Sequence, residues 1–451
     1  MALAATPETS PADRPEAVAP LTQRPLSALD ARWSELVLRL GFIATGVALM
    51  HLAFLAWQGR LDAHHLIVWL VFLEYALAFG MLIAGMLSFP WLRRLVPAIA
   101  ASLLLGFVVW AYVTIHINQR FYGTDNIAFS HVAAERLMDG QNPYDVNSRT
   151  VVEDAARRFG LPRTFITTTS DGQPLTRLMS WPAGNILPLV PALAVGVNDV
   201  RWVAVLFEIA TFALLWFRAP PALRPLAAVP LMLDPDLFLA FTGGGVMDYL
   251  WVAPMLASVI LLYDRRDGWC ALLFGLAAGI KQQPWLLAPF LLVWIWNAHR
   301  DEPRGRQAYA LAEFGALASL GFLALNLPFM VWDFRAWLAG VVLPFHAQLV
   351  AYGSGISLLT QTGIVALPKG FYTVSTFGVW GVLWLVYALH FRSLKHTLWI
   401  APAIVMWFAY RSLQNYFIYW TPMVLVALFA WWDEQVHAPP TPPATEEALP
   451  T

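Results

Sequence analysis

A carboxylate at the edge of an apolar stretch is the first residue here whose type and place suit chemistry. Asp125 lies in the polar island FYGTDNIAFSHVAAERLMDGQNPYD, Phe121 to Asp145, which begins where a long apolar segment ends. A carboxylate there is wet on one side and shielded on the other, the setting of a general base acting on a hydroxyl. The competing role is a helix cap, which Asp fills equally well. Lys281, followed by Gln282, Gln283 and Pro284, closes an apolar helix. Burying its ammonium costs roughly a few kcal/mol unless an anion meets it, or unless it snorkels to the headgroups. Arg411, in RSLQNY with Asn415, can grip anionic oxygens bidentately or serve as an interfacial anchor. Asp248, in GGGVMDY, is placed to cap a helix, to contact a hydroxyl, or to meet a second ionisable group.

The elements that must position these groups are set by composition. The chain has 451 residues, 59% hydrophobic and 13% charged, and a mean hydropathy of +0.58. Such a chain is an all-α polytopic membrane protein, multi-pass in the cell membrane. A formal net charge of -1 leaves no basic field for nucleic acid, and the single cysteine, Cys270, excludes a disulfide framework or thiolate cluster.

Residues 1–30 and 437–451 read as disordered cytoplasmic tails around a transmembrane domain, 31–436. By the ~20-residue rule, spans are expected near Leu36–Trp57, Leu66–Ser88 and Val96–Ile117, then near Val200–Phe217, Leu226–Phe241, Val246–Tyr263, Trp269–Ile280 and Trp285–Trp296. Four more follow near Ala310–Leu327, Phe371–Phe391, Leu398–Tyr410 and Tyr416–Trp432, about twelve in all. Between the third and fourth lies an external loop, 118–198, carrying interfacial helices. Gly184–Gly196, short and holding Pro188 and Pro191, reads as interfacial or re-entrant. With that assignment, Arg93, Arg94, Arg218, Arg224, Arg265, Arg266, Arg300, Arg304, Arg306, Arg392 and Lys395 all share the side of the N-terminus. Both termini are then cytoplasmic, and Asp125, Asp248, Lys281 and Arg411 converge on the other face.

Within the loop, Ile127–Met138 has helical periodicity. Val132, Ala133, Leu137 and Met138 are expected to face lipid, with His131, Glu135 and Asp139 as a polar stripe. Gly140 stops that helix, and Asn142–Asp145 forms a turn. Tyr416, Tyr419 and Trp420 read as an aromatic belt. Glu74 and Glu208, inside apolar spans, are ionisable candidates of lower weight. No dense metal-ligand spacing appears, so no metal or other cofactor is expected, with a loosely held divalent cation left open.

The string DNIAFSHVAAERLMDGQNPYD resembles the Asp-x-x-x-Tyr/Phe, small-residue, Gly-x-x-x-Tyr-Asp signature of glycosyltransferase family 87, which includes phosphatidylinositol mannoside mannosyltransferases. Gly243 to Leu292, running through GLAAGIKQQPWLL, is similar to that family's Gly-Gln-x-Asn, basic loop and Gly-Leu-Ala-Ala-x-x-Lys-x-x-Pro run. The likeness covers about a third of the chain. It departs in two ways: two extra spans precede the signature, and Gly244 with Asp248 stands where Gln and Asn are usual. The resemblance implies a GT-C-like helical bundle that moves a sugar, mannose or another hexose or pentose, from a polyprenyl-phosphate donor to a lipid or glycan acceptor, with inversion. It implies Asp125 as catalytic base; with such a donor, Lys281 and Arg411 are expected at its phosphate by their charge and placement, and Asp248, Tyr144, Gln282 and Asn415 are expected as substrate contacts. Neither GxxxxGK[ST] nor GxGxxG occurs, consistent with a lipid-phosphate donor. The rival from another class, a secondary transporter or lipid flippase, would show inverted repeats and midplane charges, and no such repeat is seen.

Overall fold

Long apolar runs without alternation have one way to satisfy their backbone groups away from water, which is to coil. The computed structural model describes residues 28–57, 65–87, 92–118, 121–162, 169, 172–173, 175–221, 223–231, 242–346 and 349–437. The tails expected at 1–30 and 437–451 lie outside them, apart from residues 28–30 and 437. The described chain is helical almost throughout. Its extended structure amounts to one parallel pair, β1 (Tyr352–Gly353) with β2 (Arg411–Ser412), and two isolated bridges.

Among the described residues five helices are long and apolar enough to cross a membrane: Glu35–Trp57, His65–Met86, Val96–Ile117, Arg304–Trp332 and Lys369–Leu389. The first three match the expected spans to within two residues. We label them within α1 (Ala28–Trp57), α2 (His65–Met86) and α3 (Val96–Val113, continued by a π turn to Asn118). On α2, Leu66, Trp69, Phe72, Phe79 and Ile83 are all exposed, a surface suited to hydrocarbon.

After α3 come α4 (Asp125–Met138), α5 (Arg149–Arg158), α6 (Leu189–Ala194) and α7 (Arg201–Arg218). Then follow α8 (Tyr249–Tyr263), α9 (Asp267–Ala278), α10 (Ala288–Ala298), α11 (Arg304–Trp332), α12 (Phe334–Val341), α13 (Lys369–Leu389), α14 (Ala401–Trp407), α15 (Asn415–Ile418) and α16 (Thr421–His437). Several expected spans are thus shorter than a full crossing. At ~1.5 Å per residue, the 15 residues of α8 cover about 22 Å. Helices α10 and α14 are each entered through a 3₁₀ turn, Gln283–Leu287 and Lys395–Ile400; Pro284 lies in the first, and Pro289 and Pro402 lie in the first turns of the α-helices that follow. Of the expected Leu226–Phe241 span, 232–241 lie outside the described residues.

Helices α9 and α11 pack closely, because glycine lets their backbones touch. A Cβ on Gly275 would lie 1.9 Å from the Ala318 carbonyl oxygen, and one on Gly321 2.2 Å from that of Leu272.

Polar contacts gather at two ends of the bundle. At one end Arg39 donates to the carbonyls of Gly85 and Met86, Arg218 meets Asp433 at 3.2 Å, His299 meets Asp267 at 2.9 Å, and Lys395 meets Glu434 at 2.6 Å. At the other, Arg201 donates to the carbonyls of Gly243 and Ile115, the Gly184 N–H donates to Gly279 O, and Ala183 N–H and the Trp337 indole both donate to Asn326 Oδ1. The Gly184–Gly196 segment stays at this second end. It forms a 3₁₀ turn, Ala183–Asn185, and the six-residue α6, too short to span.

Two expectations are corrected. Helix α4 is not an amphipathic helix lying on lipid: His131 and Ala133 are buried, as are Ala128, Ser130 and Ala134. Small residues on several faces let protein close around it; Ser130 donates to Asn185, and of its polar stripe His131 and Glu135 are taken up by Tyr122 and Arg158, while Met138 and Asp139 at its end stay exposed. Tyr419 and Trp420 are likewise no belt. Both are buried, with ring centroids 5.0 Å from Tyr249 and Trp251 respectively.

Because the α9–α11 contact has no room for a side chain, Gly275→Val is expected to destabilise the fold by about 3 kcal/mol or more. A thermal-unfolding midpoint in detergent within a degree of wild type would contradict this packing.

Candidate functional site

Asp125 is positioned by backbone rather than by its own side chain. Gly123 N–H donates to Gly244 O at 2.8 Å, Thr124 Oγ1 donates to Gly245 O at 3.0 Å, and Met247 N–H donates to Asn126 Oδ1 at 3.0 Å. The start of α4 is thereby laid along the loop leading into α8. Only glycine permits this at 245: its φ is +92°, and a Cβ would stand 2.4 Å from Ile127 Cγ2. Arg201, fully buried, ties the same loop to the end of α3 and is neutralised by Asp199 at 2.6 Å. Behind α4 runs a second chain. Val200 N–H donates to the Tyr122 hydroxyl at 3.2 Å, which leaves that hydroxyl to donate to His131 Nδ1 at 2.8 Å. His131 Nε2 lies 3.2 Å from Glu135, which Arg158 grips with two bonds of 2.5 and 2.6 Å.

With its backbone so fixed, the Asp125 carboxylate is left over. The N-cap of α4 is Thr124, and no side chain caps that end, so the cap role weighed for Asp125 is not the one it plays. Asp125 makes no hydrogen bond or ion pair with another side chain among the described residues, its local contacts being the backbone N–H groups of Asn126 and of Asp125 itself. It lies deep yet keeps part of its surface open. Burial raises its pKa above the ordinary carboxylate range, while the nearby Arg411 guanidinium, the backbone N–H groups of Asn126 and Asp125, and the Lys281 ammonium act in the opposite sense.

Asp248 is the opposite case, a carboxylate with every oxygen taken. Lys281 Nζ and the Trp251 indole N–H, at 2.8 Å, both donate to Oδ1, and Asn415 Nδ2 donates to Oδ2 at 2.5 Å. Asp248 is 1% exposed and Lys281 4%, so this is a buried ion pair. It joins the start of α8, the end of α9 and α15. Of the roles expected for Asp248, the second ionisable partner is the one realised, and no atom of its carboxylate is spare for a sugar. Lys281 and Asn415 are committed to it, which takes Lys281 out of direct reach as a phosphate ligand.

Arg411 differs from Lys281 in having no ion-pair partner among the described residues. Half-buried on β2, it makes no hydrogen bond or ion pair with the described residues, and its guanidinium carbon lies 5.9 Å from the Tyr352 ring centroid. Tyr416, read from sequence as belt, belongs here too. It is half-buried, with Arg411, Asp248 and Asp125 near enough for their charges to act on its hydroxyl. Its position five residues after Arg411 was the available signal.

Two expected contacts serve structure instead. The Tyr144 hydroxyl donates to Trp181 O at 2.7 Å and its buried ring packs edge-on against Phe329. The Gln282 amide nitrogen donates to the carbonyls of Ser180 and Val341 at 2.8 and 2.9 Å, pinning three loops. Among the described residues no three His, Cys, Asp or Glu side chains gather as a metal site would require. Asp125, Asp248, Lys281, Arg411, Asn415 and Tyr416 thus form one cluster at one end of the bundle, drawn from four separated stretches. Comparison of the chain with protein-family models, curated proteins and solved structures finds no match.

Removing one partner of a buried pair leaves the other uncompensated. Lys281→Met is therefore expected to destabilise by ~3–5 kcal/mol, and Lys281→Met with Asp248→Asn to recover much of that loss. Unfolding midpoints in lipid nanodiscs measure both. Equal destabilisation by the single and double variants would show that the pair is not the cause.

Proposed function

We propose that this chain is an inverting membrane glycosyltransferase of GT-C type, moving a sugar from a polyprenyl-phosphate donor to a lipid or glycan acceptor. The observation that carries the reading is the contrast within one cluster: Asp248 and Lys281 neutralise each other, while Asp125 and Arg411 stand beside them with no side-chain partner among the described residues. A base and an anion-binding cation, both unpaired and close to one another, fit a reaction that takes up a proton and releases a phosphate.

In that reaction the acceptor oxygen attacks the anomeric carbon and its proton passes to Asp125. The bond from the anomeric carbon to the phosphate oxygen breaks, and its electron pair leaves with the polyprenyl phosphate, whose growing charge Arg411 meets. Raising the carboxylate's pKa by burial makes it a better proton acceptor, provided the pH keeps it ionised. Tyr416 adds a hydroxyl to the same space. The surrounding bundle is read as twelve crossings with both termini on the cytoplasmic side and the cluster on the outer face. The alternation of polar contacts between two ends supports this, with the shorter helices completed by their 3₁₀ extensions.

Asp125→Asn is expected to lower transfer by roughly two orders of magnitude or more, since an amide cannot accept the proton. The same change is expected to leave the unfolding midpoint at neutral pH equal or higher. A carboxyl whose folded pKa is raised contributes stability at low pH that is lost as pH rises through that pKa, and the amide has no such loss. Transfer is measured by release of polyprenyl phosphate from purified protein in lipid, and near-normal turnover by the variant would remove Asp125 from the chemistry. Absence of turnover by the wild type with every polyprenyl-phosphate sugar tried would favour transport instead.

The rate should rise with pH as Asp125 ionises. Arg411→Lys, which keeps the charge but places it less well, should move that acid limb less than Arg411→Ala. The alanine variant shifts the limb to higher pH because it removes a charge that lowers the pKa. For orientation, Asp154→Cys, on the exposed side of α5, should react with an impermeant maleimide on intact cells, and Ser393→Cys only after permeabilisation. Reversed labelling would invert the topology.

A further inference from the structure

Arg411 sits on β2, which pairs with β1 in a register that places Tyr352 directly opposite it. The ring of Tyr352 lies within 5.9 Å of the guanidinium carbon, near the outer limit at which an aromatic face attracts a cation. No hydrogen bond or ion pair with the described residues holds that guanidinium. The segment carrying Tyr352 is, by contrast, firmly tied to β2. Tyr352 N–H donates to Tyr410 O at 3.2 Å, Ser354 N–H to Ser412 O at 2.8 Å, and Gly355 N–H to Ser412 Oγ at 2.8 Å. Gln361 Oε1 accepts from Gly353 N–H at 3.1 Å, and the Ser357 and Ser412 hydroxyls meet at 2.7 Å. A rigid strap therefore presents an aromatic ring to a cation that no hydrogen bond or ion pair among the described residues orients. Tyr352 is itself 48% exposed, so its ring does not serve the core.

We propose that Tyr352 is the positioning residue of the anion site, holding the Arg411 guanidinium by its ring face so that the fork is already aimed when a lipid-linked phosphate arrives. This rests on the reading of Arg411 as the phosphate ligand. A long, freely rotating arginine loses side-chain entropy on binding, and a ring against one face of the guanidinium removes part of that loss beforehand. The ring face attracts the cation, whereas the phenol hydroxyl does not enter the contact. Phenylalanine should therefore replace Tyr352, and alanine or leucine should not.

The full chain in nanodiscs of phosphatidylcholine is titrated with undecaprenyl phosphate, with undecaprenol to isolate the tail and inorganic phosphate to isolate the free anion. Tyr352→Ala and Tyr352→Leu are expected to weaken undecaprenyl phosphate by roughly two- to fivefold, with Tyr352→Phe restoring it, and to leave undecaprenol unchanged. In an Arg411→Ala background, Tyr352→Ala should add nothing, because the residue acts through the arginine. An undiminished affinity in Tyr352→Ala beside a weakened Arg411→Ala would overturn the positioning role alone. So would a Tyr352→Ala effect of full size in the Arg411→Ala background. Undiminished affinity in Arg411→Ala would overturn the phosphate reading itself and the Tyr352 role with it. Inorganic phosphate binding as tightly as the lipid form would identify a free-anion site and overturn the lipid-linked ligand.

Discussion

A carboxylate removed from water must be answered by a cation and by hydrogen bonds, or it costs several kcal/mol. Asp248 is answered three times, by Lys281, Trp251 and Asn415, and these partners come from α8 itself, the end of α9 and α15. Because the carboxylate needs all of them, those elements have one relative arrangement in which the charge is compensated. That arrangement is also the one in which the loop from Gly243 to Met247 lies against the start of α4. The ion pair therefore fixes the elements beside which Asp125 and Arg411 stand, without engaging either of them.

Seen this way, the two carboxylates divide the work. One is saturated and holds geometry, while the other is unsaturated and available. A buried charge without a partner is destabilising, and proteins keep such groups where they do something besides fold. Arg411 repeats the pattern on the cationic side, in contrast to Arg201, whose guanidinium is fully engaged by Asp199 and two backbone carbonyls.

How much of this could be read from sequence depends on the range of the interaction concerned. Helices α1 to α3 were legible nearly to the residue, because a run of about twenty apolar side chains is a local property. The positions of Asp125, Asp248, Lys281 and Arg411 as the polar residues to explain were legible too, since each interrupts an apolar stretch. Their pairing was not. Asp248 and Lys281 are separated by 33 positions, and Asn415 by 167 from Asp248, with nothing in the intervening chain to announce contact. Helix α4 misled for a related reason. Its periodicity suits a surface helix, but Ala128, Ser130, Ala133 and Ala134 are small enough for protein to replace lipid, and spacing does not say which of the two arrives. Tyr419 and Trp420 followed the same course, for an aromatic residue near an apolar end looks alike in a belt and in a core.

The location of the ion pair also bears on how the chain enters a bilayer. Asp248 and Lys281 stand at the two ends of one antiparallel helical hairpin, α8 and α9, whose connection is the short stretch from Asp264 to Arg266. A hairpin that inserts as a unit brings both charges together from the start, so the membrane meets a neutral dipole instead of two separate ions. Asn415, synthesised long afterwards, then completes a pair that already exists. The order of synthesis is thus also the order in which this buried charge becomes affordable, and a late-arriving amide acts as a check that the last helices have docked.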